Sequence, residues 1–224
     1  MTRFPADLLD GYERFRNGRL HAEQARFRTL AETGQRPTTM LIGCCDSRAA
    51  PETIFDAGPG QLFVVRNVAN LVPPYEPDGG HHSTSAALEF AVQVLRVNHV
   101  VVMGHGHCGG IAAVLNPADE PLSPGDFIGK WMALLKPSAD RITDNGIMTP
   151  GERQIALERI SIRHSVANLR TFPCVAELEK RGKLMLHGAW FDISTGELWA
   201  MDSKTGEFER IWREAATGDD VLPE

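Results

Sequence analysis

Four short apolar runs fix the fold class of this chain: residues 38–44, 61–66, 98–104 and 183–191. Each is about strand length and none alternates strictly between polar and apolar. Strands of that kind are buried on both faces, as in parallel sheets with helices on each side. The segments between them are helical in pattern. Ser83, Thr84 and Ser85 can cap a helix running through Ala86, Leu88, Phe90, Val92 and Leu95. Ile155, Ile160, Ile162, Val166 and Leu169 mark a longer helix before Pro173, and Val175 to Arg181 a short one that Gly182 ends. Strand, helix, strand at this rhythm predicts an α/β fold, a mainly parallel β-sheet flanked by helices. Residues 197–202 follow Ser194, Thr195 and Gly196 as a hairpin return, predicting an antiparallel C-terminal edge strand.

Residues 1–33, with Leu8, Leu9, Tyr12 and Phe15 at helical spacing, read as an amphipathic N-terminal helical arm that packs on its own core or on another subunit. Residues 117–150, rich in Pro, Gly, Asp and Ser, read as an irregular excursion. At 224 residues the chain suits one sizeable core. The expectation is a single domain over 1–224, with the arm at 1–33 and the core at 34–210.

Composition narrows the partners. A net charge of −6 without a clustered basic face argues against nucleic acid. Arg153, Arg159, Arg163 and Arg170 lie along one predicted helix, interleaved with Glu152 and Glu158. The N-terminus lacks the apolar stretch of a secretory signal, and no apolar run nears the ~20 residues that span a bilayer. Four cysteines in such a chain read as reduced thiols in the cytoplasm.

Two of those cysteines carry the chemistry. Cys44 ends the first apolar run; His105 and Cys108 follow the third. In open α/β sheets ligands bind beyond the carboxyl ends of strands, so these sequence-distant positions converge on one edge. Two thiols and one imidazole fill three corners of a tetrahedral zinc site and leave the fourth for water. Asp46 and Arg48 supply a charged pair beside it. Cys108 precedes Gly109 and Gly110 at a helix start, where the N-terminus favours a thiolate and the backbone N–H groups suit an anion. Two other readings stay open at this point. Cys45, His107 or Cys174 could close a purely structural four-ligand zinc, or Cys44 and Cys45 could form a strained redox pair.

The stretches Cys44-x-Asp46-Ser47-Arg48 and His105-x-x-Cys108-Gly109-Gly110 resemble the two signatures of the β-class carbonic anhydrases. The likeness runs through residues 63–75, 85–92 and 188–193, about residues 30–210 in all. It implies zinc-dependent reversible hydration of carbon dioxide to bicarbonate and a proton, by attack of zinc-bound hydroxide, with one zinc per chain. It implies Cys44, His105 and Cys108 as metal ligands, and Asp46 paired to Arg48 while accepting a hydrogen bond from the zinc-bound water. In a closed form Asp46 itself becomes the fourth ligand. Gln35, Phe63, Val68, Phe90 and Gly109 match the substrate pocket, and His81, His82 and His107 are candidate proton shuttles. Leu41 stands where the bicarbonate-inhibited branch carries Trp, so the resemblance is to the plant-like, non-allosteric branch. Departures are Cys45 for the commoner Ser, His107 between two ligands, and Phe90 for Tyr. The family builds its sites at a two-fold interface, which implies a homodimer, with further assembly compatible. Two thiolates make zinc a weaker Lewis acid than three imidazoles would, so activity should rise with pH through neutrality. Competing expectations are a relative acting on carbon disulfide or carbonyl sulfide, and a non-catalytic zinc scaffold.

Overall fold

A computed structural model of the chain describes residues 4–118, 120–144 and 146–211. Two helices lead, α1 (Ala6–Asn17) and α2 (Arg19–Thr33), followed by β1 (Thr39–Cys44), a short α3 (Pro51–Ile54) and β2 (Leu62–Asn67). Next, α4 (Ser83–Glu89) runs through a π-helical turn, Phe90–Leu95, towards β3 (His99–His105). Four helices follow: α5 (Gly109–Leu115), α6 (Phe127–Met132), α7 (Lys136–Asp144) and the long α8 (Pro150–Leu169). The chain then closes with α9 (Pro173–Lys180), β4 (Met185–Phe191), β5 (Leu198–Met201) and β6 (Phe208–Arg210).

The six strands form one sheet in the order β2-β1-β3-β4-β5-β6. The pairs β1–β2, β1–β3 and β3–β4 are parallel, and β4–β5 and β5–β6 antiparallel. The chain leaves β1 for β2 on one side and places β3 on the other. The carboxyl ends of β1 and β3 therefore form the switch point of the sheet, the place where open α/β sheets bind ligands. The α/β architecture is the one the apolar runs predict.

One sheet face is thickly covered. Met40, Ile42, Val100, Val102 and Leu186 pack there against Ile162, Val166 and Leu169 of α8 and Val175 of α9. A capping box starts α8: Glu152 Oε2 accepts from the Thr149 N–H, Thr149 Oγ1 accepts from the Glu152 N–H, and Pro150 opens the helix. Gly182, at φ +66°, follows α9 as expected. A second cluster covers the switch point, formed by Cys44, Ala69, Leu71, Cys108 and Ile111 with Met132, Leu135, Ala139, Ile142 and Leu157.

Four expectations need correction. Residues 117–150 are not irregular: α6 and α7 lie there. Met132, Leu135, Ala139 and Ile142 recur at helical spacing within a composition that hides them. Ser83 is the first helical residue rather than a cap, and no side chain caps that end. The π turn after α4 rotates the apolar stripe, so that Leu88, Ala91 and Val92 are buried while Phe90 is 44% exposed. The antiparallel return adds two strands, because the Asp192-x-x-Thr195-Gly196-Glu197 turn is repeated as Asp202-x-x-Thr205-Gly206-Glu207. Each Asp carboxylate accepts backbone N–H groups at the bend, and Gly196 and Gly206 take φ +74° and +75°.

The second sheet face is covered thinly. Leu41, Met103 and Ala189 are buried there beside Ile54, Val101 and Leu198. The arm does not fill the gap. Neither α1 nor α2 buries a residue, and Phe4, Leu8, Leu9 and Tyr12 are exposed.

Candidate metal centre

The ends of β1 and β3 bring Cys44 and His105 together, and the turn after β3 delivers Cys108 as the residue that starts α5. All three are buried. One ligand atom from each lies within 4.8 Å of the others, and Cys44 Sγ is 3.9 Å from Cys108 Sγ. Two sulfurs each ~2.3 Å from a tetrahedral zinc stand about 3.8 Å apart, so the thiol spacing fits such an ion. The imidazole fits as well. His105 Nδ1 donates to the Gly106 carbonyl at 2.8 Å, which leaves the lone pair on Nε2. That Nε2 is buried without a hydrogen-bond partner, an orphan acceptor aimed at the sulfurs. Among the described residues, neither Cys45, His107 nor Cys174 joins the cluster. Cys45 is exposed on the opposite side of the strand end from buried Cys44, which removes the adjacent redox pair.

The protons follow the same geometry. The hydrogen bond from Cys108 brings the Cys44 thiol down to about 4, helped by His105 and the Ala69 N–H. The same sharing pushes Cys108 up, against the lowering hydrogen bonds its sulfur receives from the Ile111 and Gly110 N–H groups. The helix start does favour a thiolate at Cys108, but the neighbouring Cys44 charge wins. Burial draws the His105 imidazole down, and the neighbouring Cys44 sulfur, with the Gly106 carbonyl that Nδ1 donates to, lifts it above its ordinary value overall.

Asp46 and Arg48 stand at the open side. Arg48 Nε donates to Asp46 Oδ1 at 2.9 Å and Nη2 to Oδ2 at 2.7 Å, and Nη2 also reaches the His107 carbonyl at 3.1 Å. Asp46 Oδ2 lies 3.9 Å from His105 Nε2. Arg66 ties the loop from below, donating to the Cys44 carbonyl at 2.8 Å and to that of Asp46 at 2.6 Å.

Other sequence candidates are placed as follows. Phe63 of β2 packs on Phe90, ring centroids 5.9 Å apart. Val68 abuts Gly110, where an added Cβ would come within 2.8 Å of Val68 Cγ1. Gly109 opens α5. Gln35 is exposed between α2 and β1. His81 is exposed, and His82 is engaged by Asp78 at 2.7 Å. His107 sits at φ +56° with its carbonyl on Arg48. A cavity of about 610 Å³ lined by Arg26, Arg36, Thr39, Leu41, Phe55 and Val101 opens at the other end of β1, away from this chemistry.

Sequence reading missed Glu158. It is 1% exposed and accepts from the Cys108 N–H at 3.0 Å, Gln154 Nε2 at 2.7 Å and Trp190 Nε1 at 3.1 Å. Gln154 donates to the Cys108 carbonyl as well, so both faces of that ligand's backbone are held. The available signal was position: Glu158, Ser161 and Ser165 share the stripe of Ile162 and Leu169, the core side of α8.

Comparison with known proteins agrees with this geometry. The family model described as "Carbonic anhydrase" matches residues 39–198. The chain is 37% identical to a carbonic anhydrase of Pseudomonas aeruginosa, over 90% of each chain. It is similar to the solved β-carbonic anhydrase CcaA at TM-score 0.82 and 32% identity, covering 92% of each chain. A second solved relative, from crystal structures of two tetrameric β-carbonic anhydrases of Sordaria macrospora, has TM-score 0.76 and 31% identity over 87% of this chain and 94% of its own.

Proposed function

This chain belongs to the β-class carbonic anhydrases, whose reaction is the reversible hydration of carbon dioxide, and we propose that it works through one zinc ion held by Cys44, His105 and Cys108. The observation that carries the zinc reading is the orphan Nε2 of His105 facing two thiols at tetrahedral spacing. When bound, the ion supplies a Lewis acid that lowers the pKa of a water ligand towards neutrality.

The chain's own residues do the rest. Asp46, held by Arg48, presents an oxygen on the His105 side of the centre and orients the reactant there. Asp46 released from Arg48 would be free to ligate the metal itself, and that arrangement would exclude the reactant and be inactive. We assign reception of a small apolar gas to Gln35, Phe63, Val68 and Phe90, of which Phe63 and Phe90 pack together, and that of its anionic product to the Gly109 N–H at the α5 start. Proton release passes to exposed imidazoles among His81, His82 and His107, of which His107 rides on the Arg48 unit. Leu41, where the bicarbonate-inhibited branch has Trp, supports the plant-like, non-allosteric assignment.

The functional unit we propose is a homodimer, the arm 1–33 of one chain covering its partner around a core at 34–210, with further assembly compatible. The exposed apolar residues of α1 and the thin second sheet face support it. No helix among the described residues is long and apolar enough to cross a membrane. The reduced thiol ligand set suits the cytoplasm. Elemental analysis with a stopped-flow dye assay of carbon dioxide hydration tests the assignment. One zinc per chain with turnover is expected, and an active protein free of zinc would refute it.

A further inference from the structure

His99 and His187 stand side by side on β3 and β4, at the end of the sheet away from Cys44. The strands run parallel with His99 opposite Met185 and Val101 opposite His187, so both imidazoles occupy one face and lean diagonally together. His99 Nδ1 and His187 Nε2 are 3.1 Å apart, and the ring centroids 5.2 Å. His187 is exposed and His99 half-buried. The pair lies six residues along β3 from His105, roughly 20 Å at strand rise, so it is distinct from the catalytic centre.

Two imidazole nitrogens at this spacing satisfy each other in one of two ways. One ring donates its N–H to the other's lone pair, or both lone pairs face a cation. A first-row metal ~2.0–2.1 Å from each nitrogen would see this pair at about 100°, an ordinary cis chelate angle. No proton need be lost. The N–H between the rings moves by tautomerisation to the outer nitrogen, Nε2 of His99 or Nδ1 of His187, and two neutral rings then offer their facing lone pairs. Burial, and then the proximity of His99, lower the His187 pKa and favour the neutral, ligating form. His187 is exposed in the single chain, near the amino end of its strand, where water can complete the shell.

We propose that His99 and His187 form a second, cross-strand metal site, a two-imidazole chelate for a divalent first-row transition cation of the nickel, copper or zinc class. Bound there, the ion ties the central strands β3 and β4 together near the amino end of β3 and stabilises the folded chain by mass action.

The test uses untagged, zinc-loaded protein dialysed to equilibrium against micromolar nickel(II), with both metals measured per chain. One nickel beside a retained zinc is expected, together with a nickel-dependent rise in melting temperature. His99→Ala and His187→Ala should each weaken nickel binding by about tenfold or more while zinc content and hydration rate stay at wild-type levels. His99→Gln provides a second variant at that position should the alanine form fold poorly. Three outcomes overturn the site: no nickel bound, nickel replacing zinc one for one, or nickel bound equally by the wild type and the variants.

Discussion

Arg48 grips the Asp46 carboxylate at both oxygens, Nε to Oδ1 at 2.9 Å and Nη2 to Oδ2 at 2.7 Å, and its own backbone N–H adds a third bond to Oδ1 at 3.0 Å. The same Nη2 reaches the His107 carbonyl, so one guanidinium joins the loop after β1 to the loop that carries Cys108. Arg48 hydrogen bonds hold the Asp46 carboxyl well below the usual carboxylate range, with burial opposing. A depressed pKa keeps Asp46 ionised and paired throughout the range where the enzyme works, and the pair is lost only in strong acid. Asp46→Asn should therefore keep its zinc yet lose about 10- to 100-fold in turnover. Arg48→Ala should let Asp46 titrate nearer its ordinary value and swing towards the metal. Stopped-flow rates from pH 5 to 9 with parallel zinc analysis check both variants. Wild-type turnover in Asp46→Asn would remove Asp46 from its assigned role.

Glu158 meets three N–H donors while almost wholly buried, so an amide in its place must turn an NH₂ towards at least one of them. Leaving a buried donor unsatisfied costs about 1–3 kcal/mol. Glu158→Gln should lower the melting temperature by several degrees, at about 2–4 °C per kcal/mol for a chain of this size. It should also weaken zinc binding, because the Cys108 backbone loses its anchor. Burial raises the Glu158 pKa, its donors opposing. The folded state then holds this proton to higher pH than the unfolded state, so Glu158 removes stability as pH climbs above the ordinary glutamate range. The Gln variant should lack that slope. Thermal melts of both proteins from pH 4 to 8 make the comparison.

The extent to which the sequence disclosed this molecule follows from how local each signal is. The runs containing Met40–Ile42 and Val100–Val102 declare buried strands by themselves, and Cys44, His105 and Cys108 declare a metal centre once those strands are adjacent. The helices α6 and α7 were hidden because turn-forming residues flank Met132, Leu135, Ala139 and Ile142, and the periodicity shows only after the flanks are set aside. Glu158 was hidden because a carboxylate among arginines reads as a surface charge. What identifies it as buried is the phase of α8 against the sheet, a tertiary fact.

Zinc affinity should climb with pH. The shared hydrogen bond lowers Cys44 and so favours its thiolate, whereas Cys108 is pushed up by the Cys44 hydrogen bond and charge and must lose its proton to ligate. Displacing one proton per ion makes affinity rise about tenfold per pH unit near neutrality. Removing part of the His105 proton, whose pKa is also raised, steepens the dependence towards acid. Competition against a chromophoric chelator between pH 6 and 8 measures the slope. A flat dependence would contradict the protonation pattern of the free site.

Gly104 immediately precedes His105 on β3, and a side chain there would crowd Ile162 and Asn70. An added Cβ would lie 2.9 Å from Ile162 Cδ1 and 3.2 Å from Asn70 Oδ1, both in the packed layer between sheet and α8. Gly104→Ala should destabilise by about 1–3 kcal/mol through overpacking and displace His105 from the two sulfurs. Denaturant unfolding with zinc analysis should show both losses. Gly109→Ala, at a position where an added Cβ meets nothing within 4 Å, is the control expected to retain zinc and stability.

The arm offers the sharpest check on assembly. Leu8 is 57% exposed, Leu9 46% and Tyr12 57%, on a helix that buries no residue of its own chain. Its contact with α2 includes Phe15 against Phe27, ring centroids 6.1 Å apart, and the outer leucines stay exposed. Fully burying one leucine is worth about 1.5–3 kcal/mol, so a partner that covers Leu8 and Leu9 gains roughly 3 kcal/mol or more from the pair. Leu8→Glu with Leu9→Glu should forfeit that gain, weakening the dimer by about a hundredfold or more. Light scattering across a dilution series is expected to show the variant passing to single-chain mass where the wild type stays paired, with helical content unchanged by circular dichroism. A wild-type protein that is already single-chain at every concentration would show that the arm covers no partner, and the thin sheet face would then have to be stable in water by itself.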